Sequence, residues 1–294
     1  MGAELLHHEL TTGSVVLPCW CGSLTQRSRF TGARFALMLC PGCGTYRISP
    51  PPVADDEQAG RFYSDYYAVE HADGADPRRF WKVVERTPSL NEVGESVADI
   101  GCGEGTLCSQ LHSKGWKSVI GLDLSRTRIE RATSRHSGIA FHAATISNSS
   151  IPPASLDLAI MDNVIEHLLE PLQALADLRE RIRPGGRVVL ITPNMESGHF
   201  RLLGMRWTPE LAPHAHVFLF THAALSRLVE RSGFDLEACG SFHLPICSLR
   251  VLAGRFVSGD VKGAIWRSMQ EAGGIYGHLV GAGPMLYAVG RRSG

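Results

Sequence analysis

The sequence predicts a doubly wound α/β fold with a small cysteine-bearing domain ahead of it, and three observations carry that prediction. Val97-Ala98-Asp99-Ile100 is a short apolar strand holding one carboxylate, and it ends in the turn Gly101-Cys102-Gly103-Glu104-Gly105, which opens a helix. Eighteen residues past Gly105, a second short strand, Val119-Ile120-Gly121-Leu122, delivers Asp123. From Ser96 onward, strand and helix patterns alternate, the arrangement of a sheet covered on both faces.

The elements follow in order. Leu107 and Leu111 give the first helix of this region an apolar stripe that Gly115 can cap. Ile139 to Ala143 form a third strand and Leu156 to Met161 a fourth. Pro171 suits the first turn of a helix whose buried stripe is Leu172, Leu175, Leu178 and Ile182, and Pro184-Gly185-Gly186 ends it. Arg187 to Thr192 are a fifth strand. Thr221 caps a further helix with Leu225, Leu228 and Val229 inward and Gly233 closing it. Asp235 to Phe242 and Met285 to Arg291 bring the strands to seven, with an insert at about 246–282 between the last two. That insert sets Arg250, Arg255, Lys262 and Arg267 against Asp260 and Glu271, and a solvated helix face accounts for it. The chain therefore divides into residues 1–56 around the cysteines, a helical aromatic-rich connector over 57–95, and the α/β domain over 96–294.

At 294 residues and 44% hydrophobic content, the chain can bury a full core. Its 29 basic residues balance 29 acidic ones, and residues 1 to 60 hold four Arg against five acidic side chains. That balance argues against a protein built to neutralise a phosphate backbone. No apolar run approaches the ~20 residues of a bilayer span, and Met1 to Leu10 lack the basic and apolar regions of a secretory leader.

Four of the eight cysteines fall within 25 residues, in Cys19-Trp20-Cys21-Gly22 and Cys40-Pro41-Gly42-Cys43-Gly44. A tight turn presenting two thiolates ahead of a glycine is how a zinc knuckle is built, and two knuckles supply the four ligands of a closed structural site. The first pair has a one-residue gap in place of the usual two. Clustered thiolates kept reduced imply a cytoplasmic setting.

The glycine turn points to a nucleoside cofactor, because it lets helix N-terminal amides approach a ligand while Asp123 can grip two ribose hydroxyls. A dinucleotide fingerprint would place glycine at the sixth position from Gly101, where Thr106 stands. With Asp99 two residues ahead, the sequence resembles the class I S-adenosylmethionine-dependent methyltransferases over about Val97 to Gly233. The matching stretches are Asp99-Ile100-Gly101-Cys102-Gly103-Glu104-Gly105, Asp123, Leu156 through Met161-Asp162-Asn163-Val164-Ile165-Glu166-His167, and Arg181-Ile182-Arg183-Pro184-Gly185-Gly186. It looks most like the subset with an N-terminal paired-cysteine knuckle, an aromatic segment (Phe62-Tyr63-Ser64-Asp65-Tyr66-Tyr67) and a stretch such as His214-Ala215-His216-Val217-Phe218-Leu219-Phe220.

The resemblance implies a Rossmann-like seven-stranded methyltransferase sheet behind a small zinc-knuckle domain. It also implies S-adenosylmethionine as cofactor and a small-molecule acceptor of secondary-metabolite or sugar type. Gly101, Cys102, Gly103 and Gly105 would lie against the methionine and ribose, Asp99 would hold the amino group, and Asp123 would take the ribose hydroxyls. Leu124 would pack on the adenine, and Asp162 and Asn163 would border the sulfonium. The family often places an acidic residue after the third strand; here Ala143-Ala144-Thr145 leaves backbone or the Thr145 hydroxyl to meet the adenine amine.

Methyl transfer needs alignment, for which proximity supplies ~7–11 kcal/mol. It can also use a base, which typically adds ~10²–10⁴-fold. His167 is the candidate base, since its neighbours border the methyl donor. His199, Trp207, His214 and His216 are candidates for the acceptor wall, the last two sharing one side if that stretch is extended. No carboxylate pair follows the fifth strand at Thr192-Pro193-Asn194, so a metal-independent in-line displacement is expected. Two other readings stay open: an RNA base methyltransferase that uses the knuckle for recognition, and a non-catalytic cofactor-binding scaffold.

Overall fold

The structure is a computed structural model describing residues 18–24, 27–31, 35–52, 76–206, 212–244, 268, 277 and 282–294. The aromatic segment 62–67, Trp207 and nearly all of the insert at 246–282 lie outside the described residues. Strands β1 (Arg27–Thr31), β2 (Ala36–Leu39) and β3 (Tyr46–Ser49) lead into helix α1 (Arg78–Val84). Then come β4 (Ser96–Ile100), α2 (Thr106–Ser113), β5 (Ser118–Asp123), α3 (Arg126–Arg135), β6 (Ala140–Ala143) and β7 (Leu156–Asp162). The chain continues through α4 (Pro171–Arg181), β8 (Ile182–Pro193), α5 (Gly198–Leu203), β9 (Phe218–Leu219), α6 (His222–Arg231), β10 (Asp235–Phe242) and β11 (Met285–Arg291).

Seven strands form one sheet in the order β10-β11-β8-β7-β4-β5-β6. Strands β4 to β8 run parallel to one another, and β11 lies antiparallel between β8 and β10. Central parallel strands are apolar on both faces because helices cover both. Accordingly Leu158, Ala159, Ile160 and Met161 of β7 and Val188, Val189, Leu190 and Ile191 of β8 are buried. Alternate residues divide between two cores. Val97, Leu158, Val189 and Ile191 pack with Phe80, Val83, Leu107 and Leu111 on one face. Ala98, Ala159, Val188 and Leu190 pack with Leu175, Leu178, Leu225 and Leu228 on the other. The strand order reverses between β4 and β7, and an open sheet forms its ligand crevice at such a switch point, beyond the carboxyl ends of the strands.

The cysteine segment builds a second sheet, β1-β2-β3-β9, whose last strand comes from the α/β region. Tyr46 pairs with Leu219 and Arg47 with Phe218. Cys19, Trp20, Cys40 and Cys43 join the same core as Val217, Phe220, Leu225 and Leu228.

Two local expectations change. The helix stripe ends at Arg181, because Ile182 is already extended and pairs with Leu156. Pro184-Gly185-Gly186 therefore lies within β8 and does not precede it. The register shifts across this stretch, Gly185 takes φ +81°, and a side chain at Gly186 would come within 2.6 Å of Ile182. Residues 213–215 form a turn and not an extended run, with the amides of Ala215 and His216 both donating to the Ala212 carbonyl. His214 is consequently exposed and His216 buried.

Candidate active site

The glycine turn leaves β4 with Gly101, Gly103 and Gly105 at φ +77°, +57° and +80°, a region costly for any residue with a Cβ. The volume each missing side chain would fill is taken by the protein itself. A Cβ at Gly101 would lie 2.4 Å from Val164, one at Gly103 2.8 Å from the Arg128 guanidinium, and one at Gly105 2.6 Å from the Phe141 ring. Cys102 is buried beside them. The Gly101 and Cys102 amides donate to the Leu122 carbonyl at 2.7 and 2.9 Å, tying the turn to the end of β5. There the Asp123 carboxylate accepts from the Gly103 amide at 2.9 Å and the Ser125 amide at 2.8 Å, with Arg128 at 3.8 Å. A carboxylate offers about four acceptor sites, so roughly two remain for incoming hydroxyls. Leu124, next in the chain, leaves 38% of its surface exposed. The Thr145 hydroxyl is engaged in its own turn, with Ser147 Oγ at 2.9 Å and the Asn148 amide at 3.2 Å.

Three carboxyl groups are gathered around the switch point. Asp99 is buried, its one described contact is the Cys108 thiol at 3.6 Å, and burial aided by the charge of Asp162 pushes its carboxyl up to about 7. Asp162 ends β7 and receives the Arg79 guanidinium Nε at 2.8 and 3.0 Å on its two oxygens; burial still holds its pKa above the usual carboxylate value. Glu166 is fully buried, accepts from the Thr192 hydroxyl at 3.0 Å, and is pushed up to about 8 by burial. Asn163 takes φ +55° at the strand exit, and with its amide turned so that the oxygen faces Arg79 and the nitrogen Glu166, it bridges the two at 3.3 Å each.

Beside this group the imidazoles of His167 and His216 meet edge to face at 4.7 Å, and His216 Nε2 lies 3.8 Å from Glu166. His167 Nδ1 sits 3.1 Å from the Ala215 carbonyl. A carbonyl accepts only, so the ring presents Nδ1–H to Ala215, and the Asn163 carbonyl is a second acceptor for the same ring. Burial, with the nearby His214 adding, pushes the His167 imidazole down to about 4, outweighing the bonds to the Ala215 and Asn163 carbonyls. His199 is buried in α5, where its ring lies 6.3 Å from that of His243.

The four N-terminal cysteines converge as well. Their sulfurs all lie within 4.8 Å of one another, with Cys19–Cys43 at 3.5 Å and Cys21–Cys40 at 3.6 Å. Four thiolates about 2.3 Å from a tetrahedral zinc stand roughly 3.8 Å apart, so the set fits that ion. Thr45 Oγ1 accepts from Trp20 Nε1 at 2.8 Å and from the Cys43 thiol at 3.2 Å. Outer contacts of this kind orient a metal ligand.

A family described as "Methyltransferase domain" matches residues 72–238, more than half of the chain. The chain belongs to the class I S-adenosylmethionine-dependent methyltransferases. An uncharacterized 37.1 kDa protein of transposon Tn4556 from Streptomyces fradiae is 37% identical over 179 residues, covering 59% of this chain and 52% of that protein. The Mycolicibacterium smegmatis protein named "Probable S-adenosylmethionine-dependent methyltransferase" is 31% identical over 181 residues, covering 61% of this chain and 67% of that protein. The methyltransferase thus spans about half the length of the first relative and two thirds of the second. In fold it is similar to 1,6-didemethyltoxoflavin-N1-methyltransferase of Burkholderia thailandensis, solved with 1,6-didemethyltoxoflavin and S-adenosylhomocysteine. The TM-score is 0.53 at 16% identity, over 91% of this chain and 99% of that one.

Sequence reasoning missed two members of the methyltransferase's polar cluster. Arg79 lies 83 residues from Asp162, and only tertiary contact joins them. Glu166 had a signal, a carboxylate beside the candidate base, but its burial depends on Thr192 and on the turn that carries His216.

Proposed function

We propose that the methyltransferase acts on a small-molecule acceptor, of secondary-metabolite or sugar type, with His167 as general base and zinc as a structural metal. The observation that carries this reading is the set at the switch point: a buried carboxyl with no cation partner among the described residues (Asp99), a half-used carboxylate (Asp123) and an imidazole held on backbone carbonyls (His167). Bound S-adenosylmethionine supplies a methyl on a sulfonium, which leaves as a neutral thioether when an acceptor attacks in line.

The residues then divide the work. Asp99 holds the cofactor ammonium, whose charge offsets the burial that otherwise favours the acid form. The Gly101, Cys102, Gly103 and Gly105 turn presents backbone to the methionine and ribose, Asp123 accepts from the ribose hydroxyls, and Leu124 supports the adenine, with Thr145 near its edge. Asp162 and Asn163 border the sulfonium, and Arg79 brings a cation within reach of the cofactor carboxylate. His167 takes the acceptor proton at Nε2, while His216, His214, His199 and Trp207 bound the acceptor. Cys19, Cys21, Cys40 and Cys43 hold the zinc. The balanced charge supports a small acceptor over a nucleic acid, and the fold carries a small heterocycle in the Burkholderia enzyme.

Calorimetry with S-adenosylmethionine and S-adenosylhomocysteine, followed by methyl-transfer assays on phenolic, amine and sugar-nucleotide acceptors, tests the reading. Binding of both cofactors with turnover of one acceptor class is expected. Tight binding with no turnover on any acceptor would favour a scaffold, and no binding would remove the cofactor assignment.

A further inference from the structure

We propose that the four-cysteine knuckle is a positioning element for the catalytic imidazole: its metal holds the backbone that sets the His167 tautomer. This rests on the proposed roles of zinc and His167. The connection is an unbroken series of short contacts. The turn bearing Cys40 and Cys43 closes through the Cys40 amide on the Thr45 carbonyl at 2.9 Å and runs straight into β3. There the Ile48 amide donates to the Val217 carbonyl at 3.2 Å, and β3 pairs with β9 at Tyr46–Leu219 and Arg47–Phe218. The Arg47 guanidinium lies 5.6 Å over the Phe218 ring.

The other side of the same segment grips the base. The Val217 amide donates to the Glu166 carbonyl at 2.8 Å, and the Ala215 carbonyl accepts from His167 Nδ1 at 3.1 Å. His216, between them, packs its ring on His167. Three more contacts return to the knuckle: Thr221 Oγ1 donates to the Gly44 carbonyl at 3.2 Å, Arg227 to that of Gly42 at 3.3 Å and Arg231 to that of Cys21 at 2.9 Å.

A two-residue strand such as β9 has little stability of its own. One end of it is fixed at Phe220 by the Asn194 bridge and the Met195 amide, and its other side rests on β3, whose place depends on holding together two turns about twenty residues apart. A metal shared by four thiolates does that, and four uncharged thiols do not. By contrast, the glycine turn and Asp123 bond to each other and to the end of β5. Metal loss should therefore disorder the catalytic wall and spare the cofactor half.

The test removes metal from the full chain with a chelator and follows zinc content, S-adenosylhomocysteine affinity, amide exchange and the ¹⁵N shifts of His167. We expect affinity within about twofold of the zinc form, at least tenfold faster exchange over 44–49 and 215–220, and His167 shifts moving from a fixed Nδ1–H tautomer to a mixture. Unchanged exchange and shifts in a zinc-free chain would overturn the proposal while leaving the base assignment intact. A chain that neither contains nor takes up zinc would remove the metal reading itself. If chelation unfolds the whole chain, the zinc-loaded Ile48→Pro variant decides. It loses the amide that meets Val217 and keeps all four cysteines. The same local exchange and tautomer changes are expected there, and their absence would overturn the proposal.

Discussion

Asp99 shows how burial and function meet in one side chain. It stands in the middle of an apolar strand, where an ionised carboxylate is costly, and its pKa of about 7 records that cost. If the cofactor ammonium needs the ionised form, S-adenosylhomocysteine affinity falls as pH drops below about 7, approaching tenfold per unit. Calorimetry between pH 5.5 and 8 measures this, and Asp99→Asn should bind weakly with a flat profile. Glu166 is raised in the same way, and its effect falls on stability. Its folded pKa, about 8, lies above the unfolded value near 4.5, so its contribution is full below pH ~4.5 and is lost as pH rises through 8. Glu166→Gln, which can still accept from Thr192, should gain stability relative to the parent between pH 6 and 9 in urea titrations. His167 runs the other way: lowered to about 4, it contributes above pH ~6.5 and loses that contribution as pH falls toward 4, staying neutral through the working range.

Element ends carry much of the specificity. Thr221 caps α6 by accepting from the Ala224 amide at 3.2 Å and also donates to the Gly44 carbonyl, so one hydroxyl joins helix and knuckle. Thr221→Ala should cost about 1–2 kcal/mol in denaturant unfolding, the upper part of the capping range. Ser125→Ala at α3 should cost less, since its cap contact is 3.4 Å long. The glycine turn is less tolerant. Gly101→Ala combines left-handed backbone, worth ~1–2 kcal/mol, with a 2.4 Å approach to Val164. It should lower the thermal midpoint by several degrees, as calorimetric scanning would show.

At the scale of the molecule, the cysteine turns share a core with the α/β sheet, and the knuckle sheet packs Leu37, Ile48 and Leu219 against Met195, Phe200 and Leu203, so the two should unfold together. Chelation should lower the midpoint of the one transition that contains β3, β9 and α6, whereas an independent knuckle would melt in a separate step. Differential scanning with and without chelator distinguishes the two.

The sequence by itself determined the sheet and its donor-side turn. β10 and β11 keep their expected bounds, and the turn, Asp123 and the capped helices all lie where the local patterns predict. Periodicity, caps and positive-φ glycines act over a few residues, and the sequence carries them directly. Tertiary structure decided the rest. It paired Arg79 with Asp162, buried Glu166 against Thr192, folded 213–215 into a turn that separates His214 from His216, and completed the cysteine sheet with a two-residue strand from 170 residues downstream. The pairings depend on contacts between segments far apart in the chain, whose energy exists only once the cores are packed, and no local pattern encodes it; the 213–215 turn closes on the nearby Ala212 carbonyl.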